Sequence, residues 1–495
     1  MNSTVLMKKA STNIKKYKRR LNDVLKLLVL IVIPVQSSSV YCQSSSKGNT
    51  TSKKPNIVFI LADDLGYGDL GFNGQDKIKT PVLDHMAAEG IVFTRHYAGS
   101  AVCGPSRASL MTGMHTGNSP VRENPRWTHS GQPVDMSSSD VTVAEELKRA
   151  NYNTGIIGKW GLAENLKEGT PNLQGFDYFY GFNRHKNAHH YYPENIWENE
   201  NFIAVEGNVT QDKIGQYSQD LFTEKALSFL ENQSAEKPFF LYLAYTIPHF
   251  ELTIPEEQKK QYKDLNWPLR KMKAAHYRHD ENGHVTYAAM VSRLDKDVGK
   301  VLDKLKSLGF DDNTLVIFTS DNGHEYDNLK NEFFNSNGEF RGKKRDLYEG
   351  GIRMPFVARW PNTIKAGTTT DHISAFWDFL PTACAIAGVK PSAKIDGISY
   401  LPALTNEKNT QNKHDYLYWE FNEKQGPIQA LSKDDWKLVH FVNKRYELYN
   451  LKNDPSELNE ISKLHPEVLK ELQELLATAR TEHPEFPLVR KHLKK

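Results

Sequence analysis

The sequence predicts an α/β protein in which helices sandwich a mixed, mainly parallel sheet, with a smaller C-terminal α+β unit following it. Three observations predict this. Short continuous apolar runs lack the alternation of a half-exposed strand, as expected where both faces of a sheet are covered. Stretches of helical period separate those runs, the chain order of a parallel sheet with crossover helices. Around residues 404–414 the texture turns polar, and shorter strand patterns and one helix follow.

Taken in order, residues 56–61 (NIVFIL) form the first buried-strand candidate. Residues 142–150 read as a helix, followed by a strand at 154–157. Residues 221–232 are an amphipathic helix and 239–244 (FFLYLA) a strand. A long amphipathic helix at 287–308 stops at Gly309, as helices often do. Strands follow at 314–319 and 356–359, then an apolar helix at 376–388. Beyond the polar linker, residues 416–421, 436–441 and 446–449 read as short strands and 466–482 as a helix. The expected organisation is a leader at 1–42, a Ser-rich linker at 43–54, a main domain at 55–404 and a C-terminal subdomain at 405–495.

Composition narrows the class. The 495 residues are 39% hydrophobic, 25% charged and 11% aromatic, which are globular proportions. The formal net charge of +3 owes part of its value to the basic N-terminus, so the body carries no nucleic-acid signature. At that N-terminus Lys8, Lys9, Lys15, Lys16, Lys18, Arg19 and Arg20 are basic, and residues 24–35, interrupted by Lys26, are an apolar run of signal-peptide length, too short to cross a bilayer comfortably. We expect an exported, periplasmic or secreted protein whose mature form has no transmembrane segment. Cys42 offers a lipid-attachment thiol, but Tyr41 departs from the small residues such sites prefer.

Only Cys42, Cys103 and Cys384 carry thiols, so an exported chain here does not rest on a disulfide framework. Cys384 lies in an apolar helix and reads as a packing residue. Cys103, among polar and turn-forming neighbours, calls for another explanation.

Ligand sites in open parallel sheets form beyond the carboxyl ends of strands. Four predicted strands end there in polar residues: Asp63-Asp64, Lys159, Pro248-His249 and Asp321-Asn322. Taken singly, Asp-Asp and Asp-Asn-Gly are also ordinary turn sequences. Together they suggest one metal-and-anion site, and the oxygen donors Asp63, Asp64, Asp321 and Asn322 favour Ca²⁺ or Mg²⁺ over Zn²⁺. Cys103-Gly104-Pro105-Ser106-Arg107 reads as a turn feeding a helix whose N-terminal amides favour negative charge. Arg107 lies near one turn on.

Cys-x-Pro-Ser-Arg followed by Leu110-Met111-Thr112-Gly113 resembles the signature of the type I, formylglycine-dependent sulfatases. Asp63-Asp64, Gly158-Lys159-Trp160, Pro248-His249, Ser320-Asp321-Asn322-Gly323 and the run 344–351 extend the likeness over most of the chain, toward bacterial polysaccharide sulfatases. The resemblance implies an alkaline-phosphatase-like fold and hydrolysis of sulfate esters on a sulfated carbohydrate, with galactan, ulvan and glycosaminoglycan types in view. It implies oxidation of Cys103 to formylglycine (3-oxoalanine) by a formylglycine-generating or sulfatase-maturating enzyme. It further implies one Ca²⁺ held by Asp63, Asp64, Cys103, Asp321 and Asn322, with Arg107 steadying residue 103 and Lys159, His249 and Lys344 binding sulfate.

One position departs. Many sulfatases carry His two residues after the lysine, and here that residue is Gly161; His324 is a candidate to replace it. The polar, aromatic run 184–193 and the basic run 343–346 supply substrate-side candidates: His185, His189, His190, His324 and Arg345.

Overall fold

The computed structural model describes residues 53–209, 215–271, 280–326, 332–423 and 426–489. The expected leader, and all of the linker but its last two residues, lie outside them.

The strand Asn56–Ala62 is the centre of a ten-stranded sheet, and it shows why the apolar runs are continuous. Ile57, Phe59 and Leu61 enter one core; Val58, Ile60 and Ala62 enter the other. Neither face meets water, so neither calls for polar residues. Parallel neighbours flank it, Phe239–Ala244 on one side and Thr314–Ser320 on the other. Asn153–Lys159 and Tyr178–Phe182 continue in parallel beyond the first, while the antiparallel partners Asn195–Glu198 and Asn201–Ala204 close that edge. On the other side Phe356–Arg359 is antiparallel to its neighbours, and Ile91–Phe93 pairs with Thr368–Thr370. The sheet is thus mixed and mainly parallel.

Helices Ser218–Glu231, Gly283–Ser307 and Pro81–Glu89 contribute to the core on one face. Cys103–Thr112, Val143–Arg149 and Phe379–Ile386 contribute to the other. Cys384 is fully buried there. The Val143–Arg149 helix starts at a capping box: Thr142 Oγ1 accepts from the Glu145 amide at 3.2 Å and Glu145 Oε2 accepts from the Thr142 amide at 2.7 Å.

Several boundaries move. The long helix begins at Gly283, not 287, and the 376–388 helix opens with a 3₁₀ turn over Phe376–Asp378. The C-terminal helix spans Pro466–Thr478. The C-terminal sheet has four antiparallel strands, Leu417–Phe421, Ile428–Lys433, Trp436–Phe441 and Arg445–Asn450, the second of them unforeseen.

That small sheet meets the main body through buried ions and rings. Lys437 Nζ stands 2.9 Å from both Glu349 Oε1 and Glu457 Oε1, all three fully buried. Tyr97 donates to Glu349 Oε2 at 2.9 Å, and Arg353 reaches the same oxygen at 3.1 Å. Trp419 Nε1 donates to the Ala98 carbonyl at 2.9 Å. Among the described residues no helix is long and apolar enough to cross a membrane.

Candidate active site

Register brings the first residues together. Ala62 lies opposite Ser320 in the parallel pair, so Asp63 and Asp321 leave the sheet side by side. The Asp321 amide donates to the Ala62 carbonyl at 3.1 Å, and the Asp64 amide to Asp321 Oδ1 at 3.1 Å. Asp64 takes a left-handed φ of 64°, uncommon for a residue with a side chain. Asn322 Nδ2 donates to Asp64 Oδ1 at 2.7 Å.

The Cys103 helix enters from the opposite face. Its ten residues are all buried, and Ser106 Oγ pins it by donating to the Asp321 carbonyl at 2.6 Å. Arg107 donates to Asp321 Oδ2 from Nε at 3.0 Å and Nη2 at 2.8 Å, and to the Lys159 carbonyl at 2.7 Å. Its direct bonds therefore steady Asp321, one step removed from Cys103. Lys159 Nζ, at its own strand end, stands 2.6 Å from Asp63 Oδ2. Lys344 Nζ stands 2.7 Å from Asp64 Oδ2, and His249 Nε2 is 3.5 Å from the same oxygen.

One donor atom each from Asp63, Asp64 and His249 lie within 4.8 Å of one another, as do donors from Asp63, Cys103 and Asp321. Asp63 Oδ1 and Asn322 Oδ1 are buried with no hydrogen-bond partner. A buried carboxylate oxygen left open is costly unless a cation or a proton meets it. Burial raises the Asp63 carboxyl above its usual range, with Lys159 opposing and Asp321 adding. Burial does the same to Asp64, against Lys344. A hard divalent cation removes both penalties, and this oxygen-rich set fits one.

The Cys103 thiol is pushed up to about 11 by burial, so as a thiol it is a poor nucleophile. Burial notwithstanding, Asp64 and Glu325 hold Lys344 well above its ordinary value, and Asp63 raises Lys159. Both stay cationic in a pocket that burial alone would neutralise.

The substrate-side residues divide. His185 comes into the centre, its Nδ1 3.4 Å from Cys103 Sγ. His189 meets the His185 ring edge-on at 4.7 Å and stacks on His249 at 4.3 Å. His190 pairs instead with the buried Glu251, its Nδ1 2.7 Å from Oε2. Arg345 pairs with Glu325 and lies 3.4 Å from Glu423. His324 is fully buried, lowered to about 3 by burial with Lys343 and Arg270 adding, and its carbonyl accepts from the Lys344 amide at 3.1 Å. The imidazole that meets Cys103 is that of His185 instead.

Three acids went unforeseen. Glu325 spans Lys344 and Arg345, and those two hold it at about 2 against its burial. Glu423 comes from the C-terminal unit and accepts from Asn124 Nδ2 at 3.0 Å. Glu164 accepts from the His185 amide. These are pairings across the fold, invisible as local patterns, although Glu325 follows His324 directly.

A cation-ready carboxylate cluster, buried lysines and a helix-borne residue 103 at the carboxyl ends of a parallel sheet define a hydrolase of anionic esters. The sulfatase family model matches residues 55–389, and a second, described as N-sulphoglucosamine sulphohydrolase, C-terminal, matches 338–482. The chain belongs to the sulfatase family and is a sulfuric ester hydrolase. It is 30% identical to an N-acetylgalactosamine-6-O-sulfatase of Bacteroides thetaiotaomicron, covering 87% of this chain and 94% of that one. The solved structure of Ps i-CgsB in complex with k-i-k-neocarrahexaose is 30% identical, with a TM-score of 0.71 over 88% of this chain and 94% of that one. A structure in complex with its substrate D-glucosamine-2-N,6-O-disulfate is 25% identical, with a TM-score of 0.68 over 86% and 97%. The alkaline-phosphatase-like architecture expected from the resemblance is the one observed.

Proposed function

We propose that this chain removes sulfate from a sulfated glycan, using a formylglycine made from Cys103 and one Ca²⁺ at Asp63, Asp64, Asp321 and Asn322. The observation that carries this is the pair of open, buried oxygens, Asp63 Oδ1 and Asn322 Oδ1, beside a carboxylate cluster that includes residue 103. The cation would supply charge neutralisation and the modified residue a nucleophilic oxygen that a thiol lacks.

The chain's own residues do the rest. Lys159 and Lys344 attract the anionic ester and offset charge that builds on sulfate oxygens. His249 shares the Asp64 side of the cluster with Lys344. Arg107 locks Asp321 so that it keeps one orientation. Amides of the first turn of the Cys103 helix favour negative charge at its start. Arg345, His189 and His190 form the glycan-side rim, with His185 deeper, against residue 103, and His324 behind Lys344.

The glycan class follows the relatives. One relative is named as an N-acetylgalactosamine-6-O-sulfatase, and the solved structures hold k-i-k-neocarrahexaose and D-glucosamine-2-N,6-O-disulfate, so galactose- and hexosamine-containing polymers come first, sulfated at O4 or O6. We assign residues 1–42 to an export leader, 43–54 to a linker, 55–404 to the catalytic domain and 405–495 to the C-terminal subdomain, with maturation by a formylglycine-generating or sulfatase-maturating enzyme.

Turnover of 4-nitrophenyl sulfate against an aryl phosphonate, with peptide mass spectrometry at Cys103, tests the reading. Sulfate hydrolysis that dominates and tracks the oxidised peptide supports it. Faster phosphonate turnover, or full activity with an unmodified cysteine, overturns it.

A further inference from the structure

Gly161, two residues beyond Lys159, leaves a space that His185 borders. A Cβ built on Gly161 would lie 3.7 Å from Lys159 Cε and 3.9 Å from His185 Cα, ordinary contact distances, so nothing solid fills that place. Two backbone bonds tie the segments together: Trp160 N to Phe182 O at 3.0 Å and Gly161 N to Asn183 O at 3.1 Å. The chain then turns, the Glu164 carboxylate takes the His185 amide, and the imidazole is delivered to Cys103 with Nδ1 at 3.4 Å and Nε2 at 3.7 Å from Sγ. The ring is braced from behind by His189, itself stacked on His249. A side chain at 161 would extend into the space beside Lys159 that the His185 segment borders, and the left-handed φ of 76° at Gly161 would strain it.

We propose that His185 is a catalytic residue: it accepts a hydrogen bond from the group at position 103 and orients it toward the ester, and Gly161 is the vacancy that admits it. This rests on the formylglycine reading above. It differs from a role in glycan recognition, because the ring meets residue 103 itself.

The experiment uses the full chain, matured and supplied with calcium. His185→Ala is compared with Gly161→His and with the double variant Gly161→His/His185→Ala. Peptide mass spectrometry first fixes the extent of oxidation at Cys103 in each. An unoxidised or inactive wild type strikes the proposed function, not this assignment. Per oxidised site, His185→Ala is expected to lose about a hundredfold in kcat on 4-nitrophenyl sulfate. Its KM, and its affinity for inorganic sulfate by calorimetry, should stay within about threefold of wild type, since binding groups are untouched. Gly161→His alone should also lose activity, because a side chain at a left-handed φ of 76° strains the turn and fills the space beside Lys159. The double variant should regain at least about tenfold over His185→Ala, as the ring at 161 takes the vacated place. An unchanged kcat in His185→Ala overturns the assignment. So does a loss confined to KM and sulfate affinity, or a double variant no better than Gly161→Ala/His185→Ala, which carries the same left-handed backbone strain without the ring.

Discussion

Two clusters of buried charge among the described residues are finished differently. At the seam with the C-terminal sheet, Glu349, Lys437, Glu457 and Arg353 leave no carboxylate oxygen without a cation, an amide or a hydroxyl close by, although Glu457 Oε1 meets Lys437 as an ion pair and not as a hydrogen bond. Glu349 Oε1 and Glu457 Oε1 share Lys437 at 2.9 Å, Glu349 Oε2 has Tyr97 and Arg353, and Glu457 Oε2 accepts from the Glu349 amide at 2.6 Å. At the sheet's carboxyl end, Asp63, Asp64 and Asp321 face Lys159, Lys344 and Arg107, yet Asp63 Oδ1 and Asn322 Oδ1 stay open. A closed network fixes two elements against each other. An open one holds unspent affinity for a ligand, at a cost to the empty fold.

The sharpest separation comes from Asp63→Asn. We expect kcat/KM to fall about a thousandfold, roughly 4 kcal/mol in the barrier, while the metal-free protein loses less than about 2 kcal/mol, because relief of the Asp63 burial cost offsets much of the lost Lys159 pair. Burial and the Asp321 charge disfavour ionised Asp63, and the amide relieves that. A metal-free variant less stable by more than about 2 kcal/mol breaks the contrast. Lys437→Met should do the reverse. Two glutamates then lose their shared cation, costing about 3–5 kcal/mol in denaturant unfolding, with kcat of the folded protein unchanged.

Calcium tests the open cluster alone. At about a hundredfold over its Kd it should stabilise wild type by about 2.7 kcal/mol in differential scanning calorimetry. Lys437→Met should keep that increment and Asp63→Asn should lose it.

The smallest effect belongs to Glu457. Burial raises its carboxyl from 4.5 to about 7, against the pull of Lys437. The folded state then binds the proton more tightly than the unfolded chain across that window. Its contribution to stability is full below about pH 4.5 and is lost as pH rises through 7. Glu457→Gln should cost about 1 kcal/mol at pH 5 and flatten the decline toward pH 8 in urea titrations. An unchanged pH slope removes Glu457 from the account.

The open cluster was far more legible in the sequence than the closed one. Asp63, Lys159 and Asp321 each follow an apolar run buried on both faces, so the run announces the strand and its end announces the site. Glu349, Lys437 and Glu457 meet only after two sheets pack, and nothing local marks them. The same limit hid the contact of His185 with Cys103, 82 positions apart, and the reach of Glu423 from the C-terminal unit. The strand Tyr178–Phe182 was missed because its aromatic run breaks at Gly181, and Ile428–Lys433 because its mixed residues show no clean alternation.

The closure of the Cys103 helix also sets a clock. The thiol has no solvent exposure, and Gly104 to Thr112 are buried with it. No protein-sized catalyst reaches that sulfur once the sheet has formed. An enzyme that alters Cys103 therefore works on the nascent or still-unfolded chain, and folding ends its opportunity. If residue 103 is altered as proposed, the proportion of altered molecules would be settled once, during biogenesis, and each folded copy would keep for its lifetime the residue it carried into the fold.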